Sequence, residues 1–412
     1  MIEELEYKKR RKKLGKKLSK NSITILFSAT AKTRSNDTEF PFRQDSNFYY
    51  LTGFKEENSA LIITKENKKI TTTLFVQKKD KQLELWTGER LGVKEARKRF
   101  KIDNIFSIDK FDKKLLSYMQ NRRTLYYDFR RTDKKLPDSI QDVSQHKDIG
   151  YHIGLLRVIK SEAEIALIKK AIDITALAHH RVMKLDKRGK NEYEVQAELE
   201  YVFKKNGAYN DAYTSIVASG NSANTLHYIQ NNKPLLNNDL ILIDAGCEYQ
   251  YYASDITRTI SVNNSFSLAQ KELYDMVLSV EVTIIEMIKP QIKRTTLQKK
   301  AIQLLTEGMV ALKILKGTTK NLIKEEAYKK YYPHGIGHWM GLDVHDSSPY
   351  RYKNGKEIRL QKGMVLTIEP AIYIDKDDKS VPQKYRGIGI RIEDDILVTE
   401  DGFENLSYNI KK

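Results

Sequence analysis

Ile241–Thr257 reads ILIDAGCEYQYYASDIT, two β-rich runs joined by a tight connection, each carrying an aspartate. The first run reaches Asp244 and the second carries Asp255, eleven positions further on. A chain reversal at Tyr249–Gln250 makes the two direct cross-strand partners, with side chains about 5 Å apart on one face. Like charges placed opposite one another destabilise a sheet, so such a pair needs an offsetting cation. A solvated hairpin edge bearing two unrelated acids is the plainer alternative, and the rest of the chain must decide between them.

The chain has 412 residues, 40% of them hydrophobic, which is enough for two domains with sizeable cores and excludes global disorder. A single cysteine, Cys247, excludes an internal disulfide and suits a reducing compartment, so a cytoplasmic protein is expected. The thiol itself reads as a small buried group. The start, MIEELEYKKRRKKLGKKLSKN, lacks the apolar stretch of a signal peptide. No run approaches the roughly 18 apolar residues of a membrane span, so no membrane association is expected. Lys and Arg total 72 against 54 Asp and Glu, a formal charge of +18. Those cations recur among helix-forming residues along the whole length. With no zinc-finger or RNP signature, no nucleic-acid partner is expected. The densest run, Lys8–Lys17, reads as the solvated face of a first helix lying over Leu5, Leu14 and Leu18.

Residues 1–155 read as one mixed α/β domain. Its strands are expected at Ser22–Ser28, Ala60–Ile63, Thr72–Val76, Leu83–Trp86 and Thr124–Tyr127. The aromatic-rich FPFRQDSNFYYLTGF (Phe40–Phe54) lies between the first two. From 156 to 412 the style changes. Ser161-x-x-Glu164, Asn191-x-x-Glu194, Ser267-x-x-Gln270 and Thr295-x-x-Gln298 each pair a capping side chain with Glu or Gln three residues on. Helical periodicity follows each of them, and Gly207, Pro290 and Gly317 stand where the helices should stop. The order is helix, helix, β-rich block (Ala212–Val262), then helix, helix, β-rich block (Tyr331–Leu406). Two pseudo-equivalent αα/β halves leave a cleft between their sheets, an α/β (α+β) architecture.

The second β block supplies what Asp244 and Asp255 lack. His334-Gly-Ile-Gly-His338 and His345 place three of the eight histidines within twelve residues, in a glycine-rich turn leading towards a strand. Glu369 follows the apolar run GMVLTI, and Glu393 follows GIGIRI. A carboxylate at the end of a hydrophobic strand must be paired or ligated if it points inward. Asp394 and Asp395, by contrast, are expected to face water. Asp244, Asp255, His338, Glu369 and Glu393 form an oxygen-rich donor set with one nitrogen, suited to Mn²⁺, Co²⁺, Fe²⁺ or Zn²⁺. Four acids over-neutralise one divalent ion. Two ions about 3.5 Å apart, sharing carboxylates and a hydroxide, balance them and point to hydrolysis.

These stretches resemble the Xaa-Pro aminopeptidases (aminopeptidase P) of the pita-bread metallopeptidases. The resemblance runs through RSNDTEFPFRQDSNFYYLTGF, LRVIKSEAEIALIKKAIDIT, NTLHY, IDAGCEYQYYASDITRTISV, HGIGHWMGLDVHD, GMVLTIEPAIY and YRGIGIRIEDDI, nearly the full length. It implies a pita-bread catalytic domain preceded by a creatinase/prolidase-type N-terminal domain. It also implies two divalent ions per subunit, manganese first and Co²⁺, Zn²⁺ or Fe²⁺ as alternatives. Asp244 would hold one ion, Asp255 and Glu393 would bridge both, and His338 and Glu369 would complete the second. His227, His334 and His345 would surround the substrate, Tyr373 would line its pocket, and Arg391 would offset the carboxylates. Glu369 would also shuttle a proton from the attacking water. Peptides with proline at the second position would be the substrates, and the assembly would be a homodimer or homotetramer.

The segment Ser347–Lys362 departs from the family pattern, and Arg351 and Arg359 both compete for a pocket arginine. Trp86 resembles an aromatic near subunit contacts in relatives, with ordinary domain packing as the alternative. A prolidase cleaving only X-Pro dipeptides shares the same donors. A non-catalytic binding module of this fold would have lost some, and none is lost.

Overall fold

A computed structural model describes residues 2–131 and 144–412. The chain divides into two compact units, Met1–Arg157 and Val158–Lys412. The first runs α1 (Glu4–Lys17), β1 (Ser22–Phe27), β2 (Thr33–Ser35), β3 (Thr38–Glu39), α2 (Ser46–Thr52), β4 (Ala60–Glu66), β5 (Lys69–Val76), α3 (Lys81–Thr87), α4 (Gly92–Arg99), β6 (Asn104–Ser107), α5 (Phe111–Met119), β7 (Thr124–Tyr127), β8 (Gln145–Asp148) and α6 (Gly150–Arg157). Its six-stranded sheet has the order β6-β5-β4-β1-β7-β8. Antiparallel pairing joins β1, β4 and β5, and parallel pairing adds β6, β7 and β8. Ile23, Ile25, Ile62, Phe75 and Leu125 on the sheet pack against Phe111 and Leu115 of α5.

Two expectations fail in this unit for physical reasons. Leu83–Trp86 is not a strand but part of the short helix α3, whose Asp80 cap accepts from the backbone of Gln82 and Leu83. That cap, and Gly88 after it, outweigh the β preference of a short apolar run, and Trp86 is left 85% exposed. The run Lys8–Lys17 is not solvated throughout, and Leu5 does not lie beneath it. Arg10 and Arg11 turn inward and donate to the carbonyls of Tyr50 and Leu51 at 3.1 and 2.6 Å, while Leu5 is exposed. The cations are spread along the chain as expected, but the net charge is not. Residues 1–157 hold 36 Lys and Arg against 21 Asp and Glu, and residues 158–412 hold 36 against 33. The first unit therefore carries +15 of the +18.

The second unit opens with α7 (Glu162–Lys184) and α8 (Glu192–Lys205), followed by β9 (Asn210–Asp211), β10 (Ile216–Ser219), β11 (Leu240–Ala245), β12 (Cys247–Tyr249), β13 (Tyr252–Ala253) and β14 (Ile256–Ser261). It repeats the plan with α9 (Leu268–Glu286), α10 (Arg294–Ala311), α11 (Thr319–Lys324), β15 (Val365–Ile368), β16 (Ala371–Tyr373), β17 (Gly389–Arg391), β18 (Asp394–Val398) and β19 (Phe403–Asn405). Each half has a three-stranded antiparallel sheet, β10-β11-β14 and β15-β18-β19, with a smaller sheet beside it. These are the two αα/β halves read from the helix order. In the first half, Ala171, Ile174, Ala178 and Val182 of α7 and Val195 and Leu199 of α8 pack on Val217, Ile241 and Ile243.

Ser161, Asn191 and Ser267 form full capping boxes. The fourth is absent. α10 begins two residues earlier than the motif requires, and Thr295 hands its backbone N–H and hydroxyl to Glu357. Gln298 is thereby free to accept from Ile336 N–H at 2.5 Å, and Arg294 donates to the Gly337 carbonyl at 2.6 Å. The start of α10 thus holds the histidine-rich turn.

His179 of α7 is fully buried, 3.4 Å from the Ala245 carbonyl. Burial, reinforced by the Arg258 charge, pushes its pKa down to about 3. The folded imidazole stays neutral where the unfolded one, near 6.5, takes up a proton, so stability falls as pH drops through that window. His179→Gln should flatten the decline in urea midpoint between pH 7.5 and 5. An equal decline in variant and parent would refute the assignment.

Candidate metal centre

The Ile241–Thr257 hairpin reverses at Gln250–Tyr251, both left-handed (φ 49° and 74°), not at Tyr249–Gln250. Moving the turn by one residue re-pairs the strands. Asp244 faces Thr257 across the ladder, and Asp255 stands before the start of β14 instead of opposite Asp244. The parity is unchanged, so both carboxylates still converge. Each lies 2.6 Å from the hydroxyl of Tyr213, a partly buried side chain between β9 and β10. Gly246 makes the crossing beneath them, since a Cβ there would meet the Ser254 carbonyl at 1.9 Å.

The second half presents its donors to the same place. The glycine-rich turn leads into a single bridge, Trp339 with Leu366, instead of a continuous strand. Gly337 repeats the device of Gly246, for a Cβ there would meet the Thr367 carbonyl at 1.8 Å. His338 then bonds Thr367 Oγ1 through its backbone N–H, and its Nδ1 lies 3.1 Å from the Trp339 carbonyl. That contact fixes the ring so that Nε2 faces the acids. Nε2 is 3.2 Å from Asp255 and 3.8 Å from Glu369. Glu393 sits between β17 and β18. Its backbone N–H bonds the Thr257 carbonyl at 3.1 Å, and its carboxylate accepts from the Thr257 hydroxyl at 2.6 Å. Ligand atoms of Asp255, His338 and Glu393 all lie within 4.8 Å of one another.

Arg391 spans the rear of the cluster, donating to Asp244 at 2.6 Å and to the Tyr373 hydroxyl at 2.7 Å. His334 meets that hydroxyl at 3.0 Å through Nε2, and its Nδ1 is 3.6 Å from Glu369. The His345 ring lies 4.2 Å from that of His338. His227 is exposed in the loop before Tyr228, near enough for its charge to lower the pKa of both His334 and His345 after burial has done so. Arg351 folds back on the Gly355 carbonyl and Arg359 on the Gln291 carbonyl.

Asp394 and Asp395 do not face water. Both are fully buried, because they begin β18, the central strand of its sheet. Asp394 accepts from Arg258 at 2.7 Å, Lys412 at 2.5 Å and Asn405 at 2.6 Å. Asp395 accepts the Asp255 backbone N–H at 3.0 Å. Tyr213, Thr257, Arg258, Gln298 and Thr367 escaped the sequence reading. Only Thr257, next but one to Asp255 in a β-rich run, offered a local signal.

Burial raises Asp244, Glu369 and Glu393 above the ordinary carboxylate range, Glu369 to about 7. Burial opposes charge on His338 as well, but Asp255 and Glu369 override it and lift the ring to about 9. Four carboxylates against one guanidinium and one imidazolium leave an uncompensated negative charge out of water. A hard or borderline divalent cation fits that deficit and the O-rich donor set.

Residues 166–400 match metallopeptidase family M24, and residues 7–126 match the aminopeptidase P N-terminal domain. The chain belongs to metallopeptidase family M24. It is 40% identical over 410 residues to an Xaa-Pro aminopeptidase of Haemophilus influenzae, covering 99% of this chain and 95% of the relative. The Xaa-Pro aminopeptidase of Escherichia coli is 36% identical, covering 100% and 96%. Among solved structures, E. coli aminopeptidase P with the inhibitor Pro-Leu has a TM-score of 0.93 at 36% identity, covering 100% of this chain and 96% of that one. This M24 chain therefore has the pita-bread catalytic fold behind an aminopeptidase P N-terminal domain.

Gly337→Ala should cost about 1–3 kcal/mol, since the clash is with backbone that cannot yield. Urea unfolding measures this, and an unchanged midpoint would mean a looser crossing than the structure has.

Proposed function

We propose that this chain is a metal-dependent aminopeptidase that releases the residue preceding proline at the N-terminus of peptides. Residues 1–155 serve as its N-terminal domain and 156–412 as its catalytic domain. One observation carries the reading: Asp244 and Asp255 from one half meet His338, Glu369 and Glu393 from the other, with Arg391 behind them. Asp244, Asp255, His338, Glu369 and Glu393 would hold two divalent ions. Mn²⁺ is the first choice, with Co²⁺, Zn²⁺ or Fe²⁺ as alternatives. When bound, the ions supply an acidified water and charge stabilisation for the oxyanion of the scissile carbonyl.

The chain's own groups do the rest. Glu369, whose pKa is lifted towards neutrality, passes a proton towards the proline nitrogen as the bond breaks. His334 stays neutral because burial holds its pKa near 4, so Nε2 can share the Tyr373 hydroxyl and line the pocket. His345 and His227 flank the substrate on the solvent side. Arg391 holds Asp244 and Tyr373 in one plane of hydrogen bonds. The scissile amide has no N–H, so the proline ring is recognised by shape. The enzyme works in the cytoplasm as a homodimer or homotetramer. Among the described residues no helix is long and apolar enough to cross a membrane.

Metal-stripped protein reloaded separately with Mn²⁺, Co²⁺ or Zn²⁺ should hydrolyse Arg-Pro-Pro. Cleavage of Ala-Pro alone would make it a prolidase. Asp255→Asn and Glu393→Gln should each lower turnover by at least about a thousandfold with an unchanged circular dichroism spectrum. Near-normal turnover in either would remove the two-ion assignment.

Tyr213→Phe removes the hydroxyl shared by Asp244 and Asp255 and should weaken metal binding by about 10–100-fold in calorimetry, the usual cost of losing an outer-sphere partner. Unchanged affinity would reduce Tyr213 to packing.

A further inference from the structure

The charge of the first unit has no role in the chemistry above, and its densest patch is one helix face. Lys8, Lys9, Lys12, Lys13, Lys16 and Lys17 of α1 are all exposed. At 100° per residue they occupy one half of the helix surface, in two parallel rows spaced i, i+4, i+8. Among the described residues none of the six is ion-paired, although i,i+4 acids would be the simplest neutralisation. The only acids of α1 are Glu4 and Glu6, and Glu6 bonds the buried Arg10.

The lysine face continues into a cleft of about 210 Å³ lined by Lys8, Arg11, Lys12, Lys68 and Lys101. Its one carboxylate, Asp103, is tied to the backbone and hydroxyl of Thr72 at 2.8 Å each. Six unpaired cations at this density repel one another, and the fold keeps them together without internal compensation. The apolar side of α1, Tyr7, Leu14 and Leu18, is spent on the unit's own core. Leu5 is the one exposed apolar side chain on the lysine face, and a single leucine is far short of the apolar face that a membrane-surface helix requires. Exposed rows of cations that run on into a cleft suit a polyanionic strand better than a flat lipid surface.

We propose that the lysine face of α1, continued by Lys68 and Lys101, docks a phosphodiester backbone without reading its bases. From Lys8 to Lys17 the face is about 14 Å long, which spans about four phosphates of one duplex strand. The contact is electrostatic and independent of the peptidase centre, so it tethers the enzyme to nucleic acid without altering its chemistry.

Fluorescence anisotropy with labelled RNA, DNA of the same sequence, and duplex DNA tests this on the full-length protein. Duplex binding should weaken about 250-fold between 50 and 200 mM KCl, a log–log slope of about −4. Lys8→Glu/Lys12→Glu/Lys16→Glu should bind at least 30-fold more weakly, with a slope shallower by about three. The corresponding Gln triple should show a smaller loss with an unchanged melting curve, which separates charge from misfolding. Lys313→Glu/Lys316→Glu/Lys320→Glu makes the same change in net charge on an exposed surface of the second unit. It should keep affinity within about threefold, and peptide hydrolysis should be unchanged in both Glu triples. Preference for RNA or for DNA names the natural source, and either supports the proposal. Equal losses in the two Glu triples, or a Gln triple that binds like the parent, would overturn it. So would sedimentation with anionic phosphatidylserine vesicles without binding to either nucleic acid.

Discussion

Mutual repulsion among buried carboxylates is the constraint that the second unit is built to satisfy. Asp244, Asp255, Glu369, Glu393, Asp394 and Asp395 come from two sheets, and most lie out of water. How each is answered follows from strand alternation. Glu393 and Asp395 point one way, towards Thr257 and the Asp255 backbone, while Asp394 between them points the other. Asp394 finds Arg258 and Lys412, and those charges overcome its burial and hold its carboxyl well below the usual range. Glu393, one residue away, makes no ion pair among the described residues; burial and its neighbouring acids push it well up against the weaker pull of Arg391. Adjacent acids of the same strand thus serve opposite ends, one a structural ion pair and the other a donor kept short of cations.

The scaffold places these charges through close backbone crossings. Gly246 and Gly337 occupy comparable places in the two halves, each where a neighbouring carbonyl leaves no room for a side chain. Gly246 stands two residues after Asp244, and Gly337 immediately before His338. Rigidity at these crossings, with the grip of Arg294 and Gln298 on the histidine turn, holds donors from separate strands in register.

Much of this was legible along the chain. The alternation of helix pairs with β-rich blocks predicted two halves, and acids closing apolar runs marked Asp244, Glu369 and Glu393 for burial. What failed did so where a local signal met a tertiary competitor. Thr295 looked like a cap because nothing nearby announces Glu357, 62 positions away. Asp394 and Asp395 looked solvated because their partners, Arg258 and Lys412 for the first and the Asp255 backbone for the second, come from distant segments. Arg10 and Arg11 looked like members of a lysine run, yet guanidinium groups can be satisfied by buried carbonyls as few ammonium groups are. Tyr213 left no trace, since one tyrosine among many carries no periodicity.

The Thr257–Glu393 contact joins residues 136 positions apart. At about 5–20 residues per second, a ribosome needs roughly 7–27 s to deliver the second after the first. For nearly all of that interval the leading half carries Asp244, Asp255 and Tyr213 without Arg391, and for more than half of it without His338. The nascent sheet must wait, half-charged and open, and its early fate depends on solvent and chaperones more than on its eventual partners.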